Sequence, residues 1–210
     1  MTVLIDISPL INENIAVFPG DTPFTRKHLL ECRKGDNIDL STISTTVHLG
    51  AHTDAPSHYH RDGVGISERD LNIYYGGCQV IEVNKAQNER IFPHDLASVK
   101  ITTKRILFKT SSFTDPYHWN NEFNSLSKEL IEYLKNKDVV LVGIDTPSID
   151  PAQEAKLTAH LAAYENDMAI LEGILLTHVE PGIYKLIALP LKIEGADASP
   201  VRAVLIKDSL

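Results

Sequence analysis

The chain has 210 residues, 43% of them hydrophobic and 23% charged, which is an ordinary balance for a folded protein and enough apolar material for one large domain or two small ones. Its net charge of −8 argues against a general nucleic-acid binder, whose affinity rests on basic patches, and against adhesion to an anionic membrane. No apolar run reaches the length of a membrane span, and the two cysteines, Cys32 and Cys78, form no CxxC pair, so two buried free thiols in a reducing cytoplasm are expected.

Met1-Thr-Val-Leu-Ile-Asp6 reads as a strand and lacks the basic start and apolar core of a signal peptide. Phe18-Pro-Gly-Asp-Thr-Pro23 is an irregular loop, because Pro19 and Pro23 remove donors and Gly20 permits positive φ. Residues 39–47, rich in Thr, Ser and Ile, suggest a strand running into the histidine-rich segment that follows. Further strands are expected at 78–83, 105–109, 139–144, 174–176, 184–189 and 201–206. A helical period runs from Leu126 to Leu134, with Ser125 or Ser127 as its cap, and 155–165 also fits a helix, with a weaker helical pattern over 166–171. Helix followed by the wholly apolar run Val139-Val-Leu-Val-Gly-Ile144 suggests an αβ unit with some parallel pairing. The expected class is a strand-rich α/β domain. No repeat, low-complexity segment or linker interrupts it.

The run His48-Leu-Gly-Ala-His52-Thr-Asp54-Ala-Pro-Ser-His58 concentrates imidazoles and a carboxylate beside a Gly and a Pro. Such donors suit a borderline cation such as zinc. Gly50 and Pro56 favour a strand end over a helix, and strand parity would group His48, His52 and Asp54 on one face, with Gly50 leaving room for ions. A zinc site needs three or four ligands, so distant residues must complete it. His160 and Glu172 are candidates, and the residues alone do not choose them over His178 or Glu180. His28, His94 and His118 are isolated and read as surface or structural, while His60 is ambiguous. Arg202 reads as an ion-pair partner. Asp145, at the end of a buried strand, fits a turn-holding role at least as well as an active-site role.

The motif His48-x-Gly-x-His52-x-Asp54-Ala-Pro56-x-His58 resembles the signature of the metal-dependent cyclase-like hydrolases. Phe18-Pro-Gly-Asp-Thr-Pro23, Val142-Gly-Ile-Asp-Thr-Pro-Ser148, Ile170-Leu-Glu-Gly173, Tyr184-x-Leu-Ile-Ala-Leu-Pro-Leu191 and Asp197-Ala-Ser-Pro-Val-Arg-Ala-Val204 extend the likeness over nearly the whole chain. Within that superfamily the chain is most similar to the bacterial kynurenine formamidases (arylformamidases). The resemblance implies a single layered β/β/α domain over residues 1–210 with a mixed sheet, and a homodimer. It also implies two Zn²⁺ ions per subunit: His48, His52 and Asp54 on one, Asp54 and His160 on the other, Glu172 touching both. His58 would carry the proton. The implied reaction is hydrolysis of N-formyl-L-kynurenine to L-kynurenine and formate in tryptophan degradation. An isatin hydrolase-like opening of a cyclic amide and a non-catalytic metal-dependent binding protein are the alternatives. Phe18 stands where the family usually has a substrate-contacting Trp, so aromatic contact is kept with less ring area and no indole donor.

Overall fold

The computed structural model describes residues 3–207. Met1 and Thr2, the start of the expected first strand, lie outside them. In chain order the elements are β1 (Val3–Asp6), β2 (Thr25–Leu30), β3 (Leu40–Ser44), β4 (His52–Asp54), β5 (Tyr75–Glu82), β6 (Arg90–Ile91), β7 (Arg105–Lys109) and β8 (Ser125–Leu126). There follow α1 (Lys128–Lys135), β9 (Leu141–Ile144), α2 (Thr158–Glu165), β10 (Ala169–Glu172), β11 (Gly182–Ile187), β12 (Ala198–Pro200) and β13 (Val204–Lys207).

Nine strands form one mixed sheet in the order β1-β13-β11-β5-β7-β9-β10-β4-β12. Its middle is parallel: β5 to β7, β7 to β9 and β9 to β10. The strands on either side join antiparallel. The parallel strands are apolar on both faces because both are covered. Ile106, Phe108, Val142, Ile144 and Ile170 face α1 and α2, joining Leu130, Ile131, Leu134, Ala159 and Ala163 in one core. Leu107, Leu141 and Leu171 alternate to the other face, where the sheet curls and β11 and β13 supply Tyr184, Leu186 and Leu205. α1 begins where its capping pattern predicts: Ser127 Oγ accepts from the Leu130 N–H at 3.0 Å. The expected strand-rich single domain with a mixed sheet is therefore the observed one.

Several local expectations are corrected. The strand foreseen over 39–47 stops at Ser44 and does not run into the histidines. It pairs only with β2, as a separate hairpin, and the chain is irregular from 45 until β4 opens at His52. The break follows from Gly50, whose φ of +55° no strand accommodates. The weak helical pattern at 166–171 yields to a strand: α2 ends at Glu165, Asp167 turns with φ +46°, and Ala169–Glu172 slots between β9 and β4. Burial of this apolar run on both sheet faces outweighs its helical spacing. Residues 174–176 form no strand, because Gly173 at φ +64° ends β10 and turns the chain away. α2 begins three residues later than its pattern suggests, after Leu157 at φ +47°. Cys78 is a buried free thiol as expected, whereas Cys32 is exposed at a surface turn.

Candidate metal centre

The candidate residues meet where β4 and β10 pair, towards the β12 edge of the sheet. β4 lies antiparallel beside β10 with His52 opposite Glu172 and Asp54 opposite Ile170. His52 and Asp54 are two apart on one strand and face the same way. His160 enters from α2, and His58 closes the 3₁₀ turn Pro56–His58 that leaves β4. His48 arrives from the irregular segment before β4 and not from a continuous strand, so the parity argument grouped the right residues by the wrong backbone path. A Cβ on Gly50 would lie 3.0 Å from Pro9 Cγ and 3.2 Å from Ile15 Cδ1, so the close approach there is to apolar side chains. Gly173 is needed for close approach, since a Cβ on it would sit 2.1 Å from the Gly50 carbonyl oxygen.

Each imidazole has one nitrogen engaged outward and the other turned into the cluster. His52 Nδ1 donates to Gly50 O at 2.9 Å, which leaves Nε2 at 3.3 Å from Glu172 Oε2 and 3.5 Å from Asp54 Oδ1. His160 Nδ1 donates to Asp150 Oδ2 at 2.8 Å, placing Nε2 at 3.3 Å from Asp54 Oδ2 and 3.5 Å from Glu172 Oε1. His48 Nε2 meets Asp197 Oδ2 at 3.1 Å, and its Nδ1 lies 3.1 Å from Asp54 Oδ1. Asp54 is 1% exposed, yet neither of its oxygens receives a properly directed hydrogen bond among the described residues. A buried carboxylate without donors is expensive unless a cation compensates it. The inward nitrogens and oxygens converge on shared space and do not point along one another's bonds. Two overlapping sets, His48-His52-Asp54 and Asp54-His160-Glu172, each bring their ligand atoms within 4.8 Å of one another. Nitrogen and carboxylate donors held by outer hydrogen bonds are what a zinc-like ion requires, so these residues fit a pair of such ions.

The electrostatics agree. Burial would lower the proton affinity of His48, but the adjacent Asp54 carboxylate, then Asp197 and Glu172, raise its pKa to about 9. For His160 burial is likewise overcome, chiefly by Asp150, Asp54 and Glu172, and the value rises to about 10. Burial pushes the Asp54 carboxyl up, yet His160, His48 and His52 hold it well below the usual carboxylate range. Without metal, this pocket of acids gathers protons as its cations.

The remaining candidates separate cleanly. His178 is exposed and donates Nε2 to Asp6 O, and Glu180 is exposed, so neither joins the cluster. His60 stacks on Tyr164 with centroids 3.9 Å apart. His118 pairs with Asp115 at the surface, and His28 and His94 are exposed. Arg202 grips both oxygens of Asp6. Asp145 holds a turn: its carboxylate accepts from the N–H groups of Thr110 and Ser111 and from Thr110 Oγ1. Burial nevertheless pushes its carboxyl up.

Two residues with defined places at the centre carry no role in the sequence reading. Asp197 is shared by His48 and His58, with His58 Nδ1 at 3.4 Å, and its position in the C-terminal Asp-Ala-Ser-Pro motif was the available signal. Asp150 is fully buried and accepts from His160 Nδ1 and from the backbone N–H groups of Ala159 and His160. Nothing in its local sequence announces that reach.

A cavity of about 410 Å³ opens over the cluster. It is lined by His48, His52, His58, His160, Glu172 and Asp197, and also by Phe18. Among the described residues no Lys or Arg lines it.

The whole fold recurs in solved structures. A protein described as a potential metal-dependent hydrolase with cyclase activity superposes with TM-score 0.86 at 27% identity, covering 100% of both chains. A predicted metal-dependent hydrolase from Bacillus stearothermophilus gives 0.83 at 28%, covering 99% of this chain and 100% of its own. Isatin hydrolase A from Labrenzia aggregata shares the fold with TM-score 0.82 at 19% identity, over 99% of this chain and 94% of its own. The family described as Putative cyclase matches residues 5–151, a span that includes the whole His48–His58 run, and the chain belongs to that Cyclase family.

Proposed function

We propose that this chain is a metal-dependent amide hydrolase, an arylformamidase that cleaves N-formyl-L-kynurenine to L-kynurenine and formate in tryptophan degradation. The observation that carries the reading is the set of imidazole nitrogens facing the unpartnered, buried Asp54 carboxylate, on histidines that line a cavity shared with Phe18. His48, His52 and Asp54 would hold one Zn²⁺ ion, and Asp54, His160 and Glu172 the second. When bound, such ions lower the pKa of a water and polarise a carbonyl oxygen. His58 is the proton carrier. It lies on the cavity wall, and Asp197 at its Nδ1 leaves Nε2 for the proton. It takes a proton from the attacking water and returns it to the aryl nitrogen as the carbon–nitrogen bond breaks, so formic acid and a neutral amine are formed and the acid gives its proton to solvent to become formate. The metal-dependent hydrolases at 27% and 28% identity support the reaction class.

A second reading is favoured by the lack of Lys or Arg along the cavity: an uncharged cyclic aryl amide, of the isatin type, needs no cationic partner. The reading extends to a homodimer in the cytoplasm. Among the described residues the β2–β3 hairpin pairs with no other strand and exposes Leu29, Leu40 and Ile43, and a lone hairpin is marginal in water. Both cysteines are free thiols. The test is formate release from N-formyl-L-kynurenine beside the opening of isatin, before and after chelation and zinc addition. Loss on chelation and recovery with zinc are expected. Full activity in metal-free protein would overturn the mechanism, and faster opening of isatin would transfer the assignment to the second reading.

A further inference from the structure

The cavity is also lined by aromatic rings of two distant segments. Phe18 is 42% exposed, and Trp119, the chain's only tryptophan, meets it edge-on with centroids 5.1 Å apart. Phe113 stands 6.0 Å from Trp119, and Phe123 supports the indole from behind at 6.1 Å without lining the cavity. Trp119 is oriented by its own Nε1, which donates to Asn121 Oδ1 at 2.8 Å. The loop carrying it is tied to the segment carrying Phe18 by Ala16 N to Pro116 O at 2.9 Å and by Tyr117 Oη to Leu10 O at 3.1 Å. At its root, the carboxylate of Asp145 clamps the N–H groups of Thr110 and Ser111. A surface loop this firmly tied presents a fixed ring face, not a mobile flap.

Such a wall fits one class of ligand. Aromatic rings recognise a flat ring by edge-to-face and offset contact, and the fixed indole loses little conformational freedom on binding. A saturated ring of equal size gains the same burial without those contacts. The remainder of the cavity offers apolar side chains, the histidines and acids of the cluster, and the hydroxyls of Thr46 and Ser148, with no Lys or Arg among the described residues to select a free carboxylate.

We infer that Trp119 is a specificity-determining residue of this chain, a second aromatic face that works with Phe18 to hold the ring borne by the amide nitrogen. The inference rests on the arylformamidase reading and adds a residue to it. Two measurements on the full-length, metal-loaded protein test it. The first follows the emission of the single tryptophan during titration with acetophenone, an unreactive aryl ketone, and with cyclohexyl methyl ketone as the saturated control. Saturable change with the aryl ketone, at concentrations where the control does nothing, is expected. Equal responses, or none, would overturn the inference. The second compares kcat/KM for formanilide and N-cyclohexylformamide. The aryl preference should fall by roughly three- to tenfold in Trp119→Leu, the size of an aromatic pair contact, and be largely restored in Trp119→Phe. An unchanged preference in Trp119→Leu would refute the role while leaving the hydrolase reading intact. A saturable aryl-selective emission change in a protein that cleaves no amide would support the aryl site and remove the reaction instead.

Discussion

Asp150→Asn is the most searching perturbation of the centre, because one carboxylate there serves three neighbours at once. Asp150 Oδ2 accepts from His160 Nδ1 at 2.8 Å and from the His160 N–H at 3.0 Å. The Ala159 N–H bonds to both oxygens, and Arg90 Nη1 reaches Oδ1 at 3.1 Å. α2 has no cap of its own, since Leu157 precedes it in the left-handed region, so Asp150 closes the helix N-terminus from outside while aiming its histidine. Asparagine keeps the volume but turns one acceptor into an NH₂ that must face a donor. The damage to the cap is about 0.5–2 kcal/mol, the range for lost helix caps. Weakening the outer hydrogen bond of a ligating histidine costs about 10–100-fold in metal affinity. Thermal melts of chelated protein measure the first, and competition against a chromophoric chelator measures the second. Wild-type metal affinity in a folded Asp150→Asn protein would refute the view that Asp150 sets the orientation of His160.

Three further outcomes follow from the same geometry. Metal binding should release about two protons near pH 7.5, from His48 and His160, and about one fewer near pH 9.5, because their raised values of about 9 and about 10 are crossed in that window; calorimetry in buffers of different ionisation enthalpy reads the number, and a pH-independent release would contradict the protonated cluster. Glu172→Gln should weaken metal by more than the roughly 10–100-fold of an outer partner while Glu180→Gln changes nothing, and equal loss in both would contradict the placement of Glu172. Asp54→Ala should lose metal by elemental analysis, whereas His58→Ala should keep it and lose about 10²–10⁴ in rate; equal metal loss would remove His58 as proton carrier.

Much of this protein was legible in the linear chain. The runs at 105–109 and 139–144 read as strands, and the period from Leu126 to Leu134 with Ser125 or Ser127 as cap read as a capped helix. The dense His48–His58 run identified a metal-capable segment because local composition alone concentrated the donors. Other features were decided by contacts between distant residues. The strand at Ala169–Glu172 exists because β9 and β4 lie on either side of it, and the same residues read alone lean towards a helix. Folding brings His160 and Glu172, and not His178 or Glu180, beside Asp54, a difference that no spacing encodes. Asp150 and Asp197 act on histidines through space, and Trp119 reaches Phe18 from a loop whose polar sequence gives no hint of a cavity. Donor chemistry is local and was written in the sequence. Convergence, burial and the outward hydrogen bond that aims each imidazole come from the tertiary structure, because only folding brings those separate segments within a few ångströms.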